Sequence, residues 1–297
     1  MLFCGKKEKR KGIYKERIIY EMYRHAFRVH KNKIFKEYVS RNSFARESKA
    51  LRLLKPHPFV AELIASTCHD DQTHFIGVCE LRYYRGCDLH AWMLAHKEGS
   101  DIKFVRYIMK KILLAYDYAS KLSIFHRDIK PENVMINEHG IVKLIDWELC
   151  SFTKYSKKRV GTVEYMAEEV FRGCPYECSK SDVWSLGVLL FCLGSGKRPY
   201  SSYTSDATYS VYGNSDEFID AIYTCRWRRF WRSHEQFEEF PLLPYSFKDC
   251  LEGMLKQCPD DRYTVQDVMF HSLFYGDEYT EIDVVKEMSS VNVRPFI

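Results

Sequence analysis

The sequence predicts an α+β fold of two lobes, a small strand-rich one followed by a larger, mostly helical one. Strand-like segments gather in the first hundred residues, and from about Asp101 onward apolar residues recur at helical steps. The chain has 297 residues, 46% hydrophobic and 15% aromatic, enough to bury a substantial core and unlike a disordered chain.

In chain order, Ala26–Val29 and Phe75–Leu81 read as strands. Between them Ser43–Leu54 has helical periodicity, with Phe44, Leu51 and Leu54 as its apolar positions. Phe104–Tyr118 places Val105, Ile108, Ile112 and Ala115 on one helical face. Ser181–Cys192 and Phe247–Cys258 read as further helices, the second stopping before Pro259. A cleft between the lobes is the expected ligand site. The stretch Ser201–Glu239, rich in Tyr, Ser and Trp, is longer than such a fold needs. Packing of Phe230-Trp231 on the helical lobe is favoured over a docking insert.

Charge is uneven. Residues 1–50 hold 15 Lys/Arg against 5 acidic residues, so +10, and the remainder, 30 against 35, carries −5 of the net +5. No recognition motif accompanies the basic opening, so nucleic-acid binding is disfavoured. Eleven scattered cysteines include Cys174 and Cys178, but no second pair at zinc spacing. Reduced thiols and a soluble intracellular protein are expected, with cytoplasm and nucleus undistinguished. The longest apolar run, Leu186 to Leu193, is too short for a bilayer, and the start Met1-Leu2-Phe3-Cys4 offers neither a signal core nor an N-myristoylation site.

The chemistry lies in residues 126–133, His-Arg-Asp-Ile-Lys-Pro-Glu-Asn. Phosphoryl transfer asks a protein for positioning and charge compensation. Asp128 can orient an attacking hydroxyl, Lys130 can offset charge on the moving group, and Asn133 can ligate a metal. Thirteen residues on, Asp146 follows the apolar run Ile141-Val142-Lys143-Leu144-Ile145, and an aspartate at a strand end can complete an oxygen-rich magnesium site. Singly, each is an ordinary turn or cap residue. Eight matching positions in order are far more specific.

On these residues the sequence resembles the eukaryotic protein kinase family over roughly residues 12–275. Asp182 with Val183-Trp184-Ser185-Leu186-Gly187, the segment Gly161–Glu169, Arg262 as partner to Glu169, and Glu47 ahead of His57-Pro58 extend the likeness in order. The resemblance implies a kinase domain over 1–275, its small antiparallel-sheet lobe with one main helix about 1–82, its hinge about 80–86 and its helical lobe about 87–275. Residues 276–297 would form a C-terminal tail. It implies ATP and Mg2+ as cofactors, Asn133 and Asp146 as metal ligands, and protein substrates for a monomeric catalytic domain. Asp128, Lys130, Asn133, Asp146 and Thr162 would be catalytic, and Lys130 with Thr162 is the serine/threonine-type arrangement. Asp88 and Glu132 suggest basic residues upstream of the target, although Asp88 has an alternative use toward the ribose.

The nucleotide side departs from the family. Where a glycine-rich loop belongs, Gly5–Gly12 retains only Gly12 cleanly. Strand alternation puts Ala26 and Arg28 on one face, so Arg28 is expected to replace the family's lysine and to pair with Glu47, with Lys31 and Lys33 as fallbacks. Gly12, Ala26, Arg28, Glu47, Asp88 and Met135 make up the implied nucleotide-binding set. Asp146-Trp147-Glu148 stands for Asp-Phe-Gly, and Ala167-Glu168-Glu169 for Ala-Pro-Glu. Lys158 fills a position that is often phosphorylated, so activation without that phosphate is expected. An active serine/threonine kinase is the first reading. A pseudokinase scaffold is the second, supported by the lost glycines, Arg28 and Glu148.

Overall fold

The computed structural model describes residues 17–290 apart from 23–24, 31, 72, 97–98, 197–226, 229–230 and 233–241. Gly12 and most of Ser201–Glu239, Phe230 included, lie outside the described residues.

The small lobe is one antiparallel sheet built from β1 (Arg17–Met22), β2 (His25–His30), β3 (Lys33–Tyr38), β4 (Leu63–Asp70) and β5 (Phe75–Arg82), in the order β1-β2-β3-β5-β4. Helix α1 (Arg41–Leu54) starts at Ser40, whose side chain accepts from the Ser43 amide, and buries Phe44, Leu51 and Leu54. Those are the three apolar positions that its periodicity marks. Glu47 is buried on this helix as well.

Tyr83–Arg85 lead into β6 (Gly86–Asp88), which joins β7 (Val134–Asn137) and β8 (Val142–Leu144) in a second sheet. Backbone bonds between Leu144 and both Phe59 and Ala61 tie this sheet to the segment after α1. The large lobe holds α2 (Leu89–Ala95), α3 (Ile102–Lys121), α4 (Glu168–Phe171), α5 (Cys178–Ser195), α6 (Tyr245–Met254) and α7 (Val265–Met269). A short pair, β9 (Tyr155–Ser156) with β10 (Tyr176–Glu177), braces the segment between β8 and α4. Helix α5 buries every residue from Ser181 to Ser195, as expected of a helix that is apolar all round.

Trp231 is buried beside α6, its indole donating to Glu252 at 2.9 Å. Helix α8 (Glu281–Ser290) folds back within the expected tail region, with Val284 fully buried and Glu287 at 3.5 Å from His96. Among the described residues no helix is long and apolar enough to cross a membrane.

Candidate active site

Three segments converge on the cleft: the catalytic loop, the turn after β8, and the β3–α1 pair. The loop is anchored from below. Asp182 on α5 accepts from the amides of His126 (2.8 Å) and Arg127 (2.7 Å), both buried. Burial pushes the Asp182 carboxyl up to about 7, against those two amides, which favour its anion. Arg127 is thereby held at a φ of 65°, sparsely populated for a non-glycine residue. His126 is fully buried, its Nε2 at 3.0 Å from the Ile145 carbonyl, and burial lowers its pKa.

Asp128 stands at the centre of a polar cluster. Its Oδ1 accepts from the amide and hydroxyl of Thr162, both at 2.8 Å. Lys130 donates to the Thr162 hydroxyl at 2.8 Å and lies 3.3 Å from the other Asp128 oxygen. Asn133 donates to the Asp128 carbonyl at 2.8 Å and to its carboxylate at 3.2 Å. Gly161 makes the approach of this segment possible. Its φ is 111°, and a Cβ there would come within 2.6 Å of the Arg127 carbonyl. Asp128, Lys130, Asn133 and Thr162 are thus brought together.

On the nucleotide side two sequence expectations are corrected. The lysine paired with Glu47 is Lys36, at 2.7 Å, and the same ammonium reaches Asp146 at 2.8 Å. Arg28 lies one strand away on β2 and pairs with Glu37, half exposed. Register explains the difference: β3 is Lys33–Tyr38, so Ile34, Lys36 and Tyr38 alternate onto one face, whereas Ala26 and Arg28 belong to β2. Ala26 therefore does not flank the lysine. The fallback Lys33 pairs with Glu80, and Lys31 lies outside the described residues. Burial opposes the charged form of Lys36, but Asp146 and Glu47 outweigh it and hold its pKa above the ordinary lysine value. Glu47 is pushed up by burial against the attraction of Lys36.

The glycine-loop expectation at Gly5–Gly12 lies outside the described residues. Met22 of β1 opposes His25 of β2, and the sequence has no glycine from Arg17 to His30. Gly12 precedes β1 altogether.

Sequence reasoning missed Tyr38 and Arg46 and assigned Trp147 no contact. Tyr38 donates to Glu47 at 2.6 Å from a fully buried position. Arg46 donates to the Glu148 carbonyl at 2.7 Å, and the Glu148 carboxylate lies 3.9 Å from Lys36. Trp147 is fully buried, its ring 4.6 Å from His126. The left-handed residue of this turn is Asp146, at φ 61°, so Glu148 adopts its backbone without needing a glycine. The alternation of β3 was the one available signal for Lys36 and Tyr38.

Asp88 is buried and caps α2 through the Ala91 amide at 2.7 Å; burial raises its pKa. Met135 pairs with it across β6 and β7. Glu132 lies 3.2 Å from His90. Arg262 and Glu169 form the anticipated ion pair at 2.7 Å, with Arg262 fully buried. For a hard divalent cation the fitting donors are oxygens of Asn133 and of Asp146, which is 37% exposed while Lys36 is 3%. Oxygens of Glu47, Asp146 and Glu148 also lie within 4.8 Å of one another. That grouping surrounds the Lys36 ammonium, at 2.7, 2.8 and 3.9 Å from Glu47, Asp146 and Glu148.

A lobed fold with an anchored His-Arg-Asp loop, a Lys–Glu pair on β3 and α1, and an aspartate after β8 is the layout expected of a protein kinase domain. Independently, the protein kinase domain profile matches residues 16–274. The chain belongs to the eukaryotic protein kinase family.

Its relatives include the rat SNF-related serine/threonine-protein kinase, 28% identical over 78% of this chain and 28% of the relative. Calcium-dependent protein kinase 4 of Plasmodium falciparum is 28% identical over 92% of this chain and 49% of its own length. Serine/threonine-protein kinase KSP1 of Saccharomyces cerevisiae is 30% identical over 68% of this chain and 20% of the yeast protein. The chain thus spans half or less of these relatives' lengths.

Proposed function

We propose that the chain is an active protein serine/threonine kinase that transfers the γ-phosphoryl group of MgATP to Ser or Thr hydroxyls of protein substrates. The observation that carries this reading is Lys36 held between Glu47 and Asp146 at 2.7 and 2.8 Å. The nucleotide side, which the sequence presents as degraded, keeps its charge arrangement. Lys36 orients phosphate oxygens, with Glu47 fixing the ammonium. Asp128 accepts the hydrogen bond of the attacking hydroxyl and orients it, and Lys130 offsets charge on the transferred group. Thr162 holds Asp128 and Lys130 in mutual register. Asn133 and Asp146 would hold magnesium, which supplies charge neutralisation at the phosphates when bound. Met135 would contribute to the nucleotide pocket. The kinase unit is assigned to 1–275, with α8 packed on it.

Activation without phosphate on the segment after β8 fits the contacts of Arg127. Its guanidinium already donates to the Leu149 and Cys150 carbonyls and to the Ser156 hydroxyl. The absence of glycine from Arg17 to His30 favours a second reading, a nucleotide-independent scaffold. Labelled phosphate transfer to one basic and one acidic carrier protein, by wild type beside Asp128→Asn, separates the two. A signal lost in the variant is expected; equal signals would sink the enzyme reading.

A further inference from the structure

Between Leu149 and Thr162 the chain carries four cations, Lys154, Lys157, Lys158 and Arg159, and no acidic residue. Lys154 is spoken for by Glu177 at 3.5 Å. Lys157, Lys158 and Arg159 are exposed, and no carboxylate among the described residues lies within ion-pair distance of any of them. Three adjacent like charges repel, so a merely solvated run would be expected to sit on loose backbone. This one is pinned. Ser156 is paired in β9, the Ser156 hydroxyl accepts from the Lys158 amide at 3.1 Å, and the Lys158 carbonyl accepts from the Tyr176 hydroxyl at 2.8 Å. The Arg159 guanidinium is laid over the Phe171 ring at 4.2 Å.

The position of the cluster relative to the transfer site matters most. Arg159 stands three residues before Thr162, which bonds directly to Asp128. Three residues span at most about 11 Å, the same reach as three residues of an extended substrate on either side of its target hydroxyl. A small cavity lined by Asp128, Val160, Gly161, Thr162 and Tyr176 lies against the stretch between Arg159 and the transfer site. The two acidic groups placed to read basic residues have partners of their own, Asp88 capping α2 and Glu132 facing His90.

We infer that Lys157, Lys158 and Arg159 form an anion-reading rim, and that the kinase selects protein segments with an acidic or phosphorylated side chain within three residues of the target hydroxyl. This rests on the kinase reading above and narrows its substrate class.

The test uses the intact chain with a positional peptide library and then matched peptides carrying Glu, phosphoserine, Ala or Lys at the selected position. Enrichment of Glu, Asp or phosphoserine is expected, with an acidic-to-basic ratio of kcat/KM on the order of tenfold for two or three exposed charge pairs. That ratio should shrink as salt is raised, since the Debye length falls to about 8 Å at physiological ionic strength. The double reversal Lys157→Glu with Lys158→Glu should invert the ratio. Because both peptides meet the same enzyme, partial misfolding of the variant cancels. A phosphoserine peptide used better than its Glu counterpart would identify a phosphate reader, and equal use a carboxylate reader; either supports the rim. No enrichment, enrichment of Lys or Arg, or a ratio unmoved by the reversal overturns it. If no peptide is phosphorylated, the enzyme reading fails separately. Anisotropy of fluorescein-labelled acidic and basic peptides then decides the rim, with equal binding counting against it.

Discussion

Removing the ammonium of Lys36 leaves the oxygens of Glu47 and Asp146 within 4.8 Å of one another with no cation between them. Breaking a buried pair from one side typically costs about 3–5 kcal/mol, because the remaining charge stays uncompensated. Here Asp146 is partly exposed and Tyr38 still donates to Glu47, so Lys36→Met is expected near about 3 kcal/mol by urea unfolding. Phosphate transfer should fall with it, since no other described lysine contacts both carboxylates. Arg28→Ala removes a half-exposed partner of Glu37 and should cost under about 1 kcal/mol, with transfer retained. If the two variants behaved the other way round, the register of β2 and β3 would be misassigned.

Helix α5 acts on chemistry it never touches. It is a buried pillar, and through Asp182 it fixes two consecutive amides of the loop carrying Asp128. Asp182→Ala orphans both N–H groups in the interior, and at roughly 1–3 kcal/mol per unsatisfied group a loss of about 2–6 kcal/mol follows. The same carboxyl gives a pH signature. Its folded value is about 7 against 3.8 for the free side chain, so between those values the native state binds the proton more tightly than the unfolded chain. The stability this group contributes is therefore greatest at the acidic end and is lost as pH rises toward 7. Asparagine does not titrate. Wild-type stability relative to Asp182→Asn should fall on going from pH 5 to pH 7, by at most about 1.4 kcal/mol per unit. A pH-independent difference in urea midpoints would contradict the burial of this carboxyl.

Across the whole molecule the large lobe is the part a sequence reader can see. Residues 126–133 act through local spacing, and Asp182, Glu169 and Arg262 fall in fixed order around them. The small lobe hides its site because β1, β2 and β3 follow one another within 22 residues, with basic side chains on each and no glycine to mark the β1–β2 turn. Which strand faces α1 is decided by packing of Lys36 and Tyr38 against Glu47, a tertiary fact that alternation alone leaves open. The cleft between the two lobes then yields one measurement on the full chain. A nucleotide touching Lys36 above and the Asp128–Asp146 region below binds only the folded, assembled pair of lobes. At a hundredfold over its dissociation constant it should add about 2.7 kcal/mol. For a chain of this length that is a rise in Tm on the order of several degrees. The rise should require magnesium, because Asp146 and the phosphates repel without it, and should vanish in Lys36→Met. A chain whose Tm ignores MgATP at every concentration, while Lys36→Met still unfolds more easily, would keep the Lys36–Glu47 pair as structural reinforcement and favour the scaffold. The absence of glycine from Arg17 to His30 bears on how steeply the rise depends on concentration, since glycines are what let backbone N–H groups approach phosphates closely, and weaker binding without loss of the response is expected.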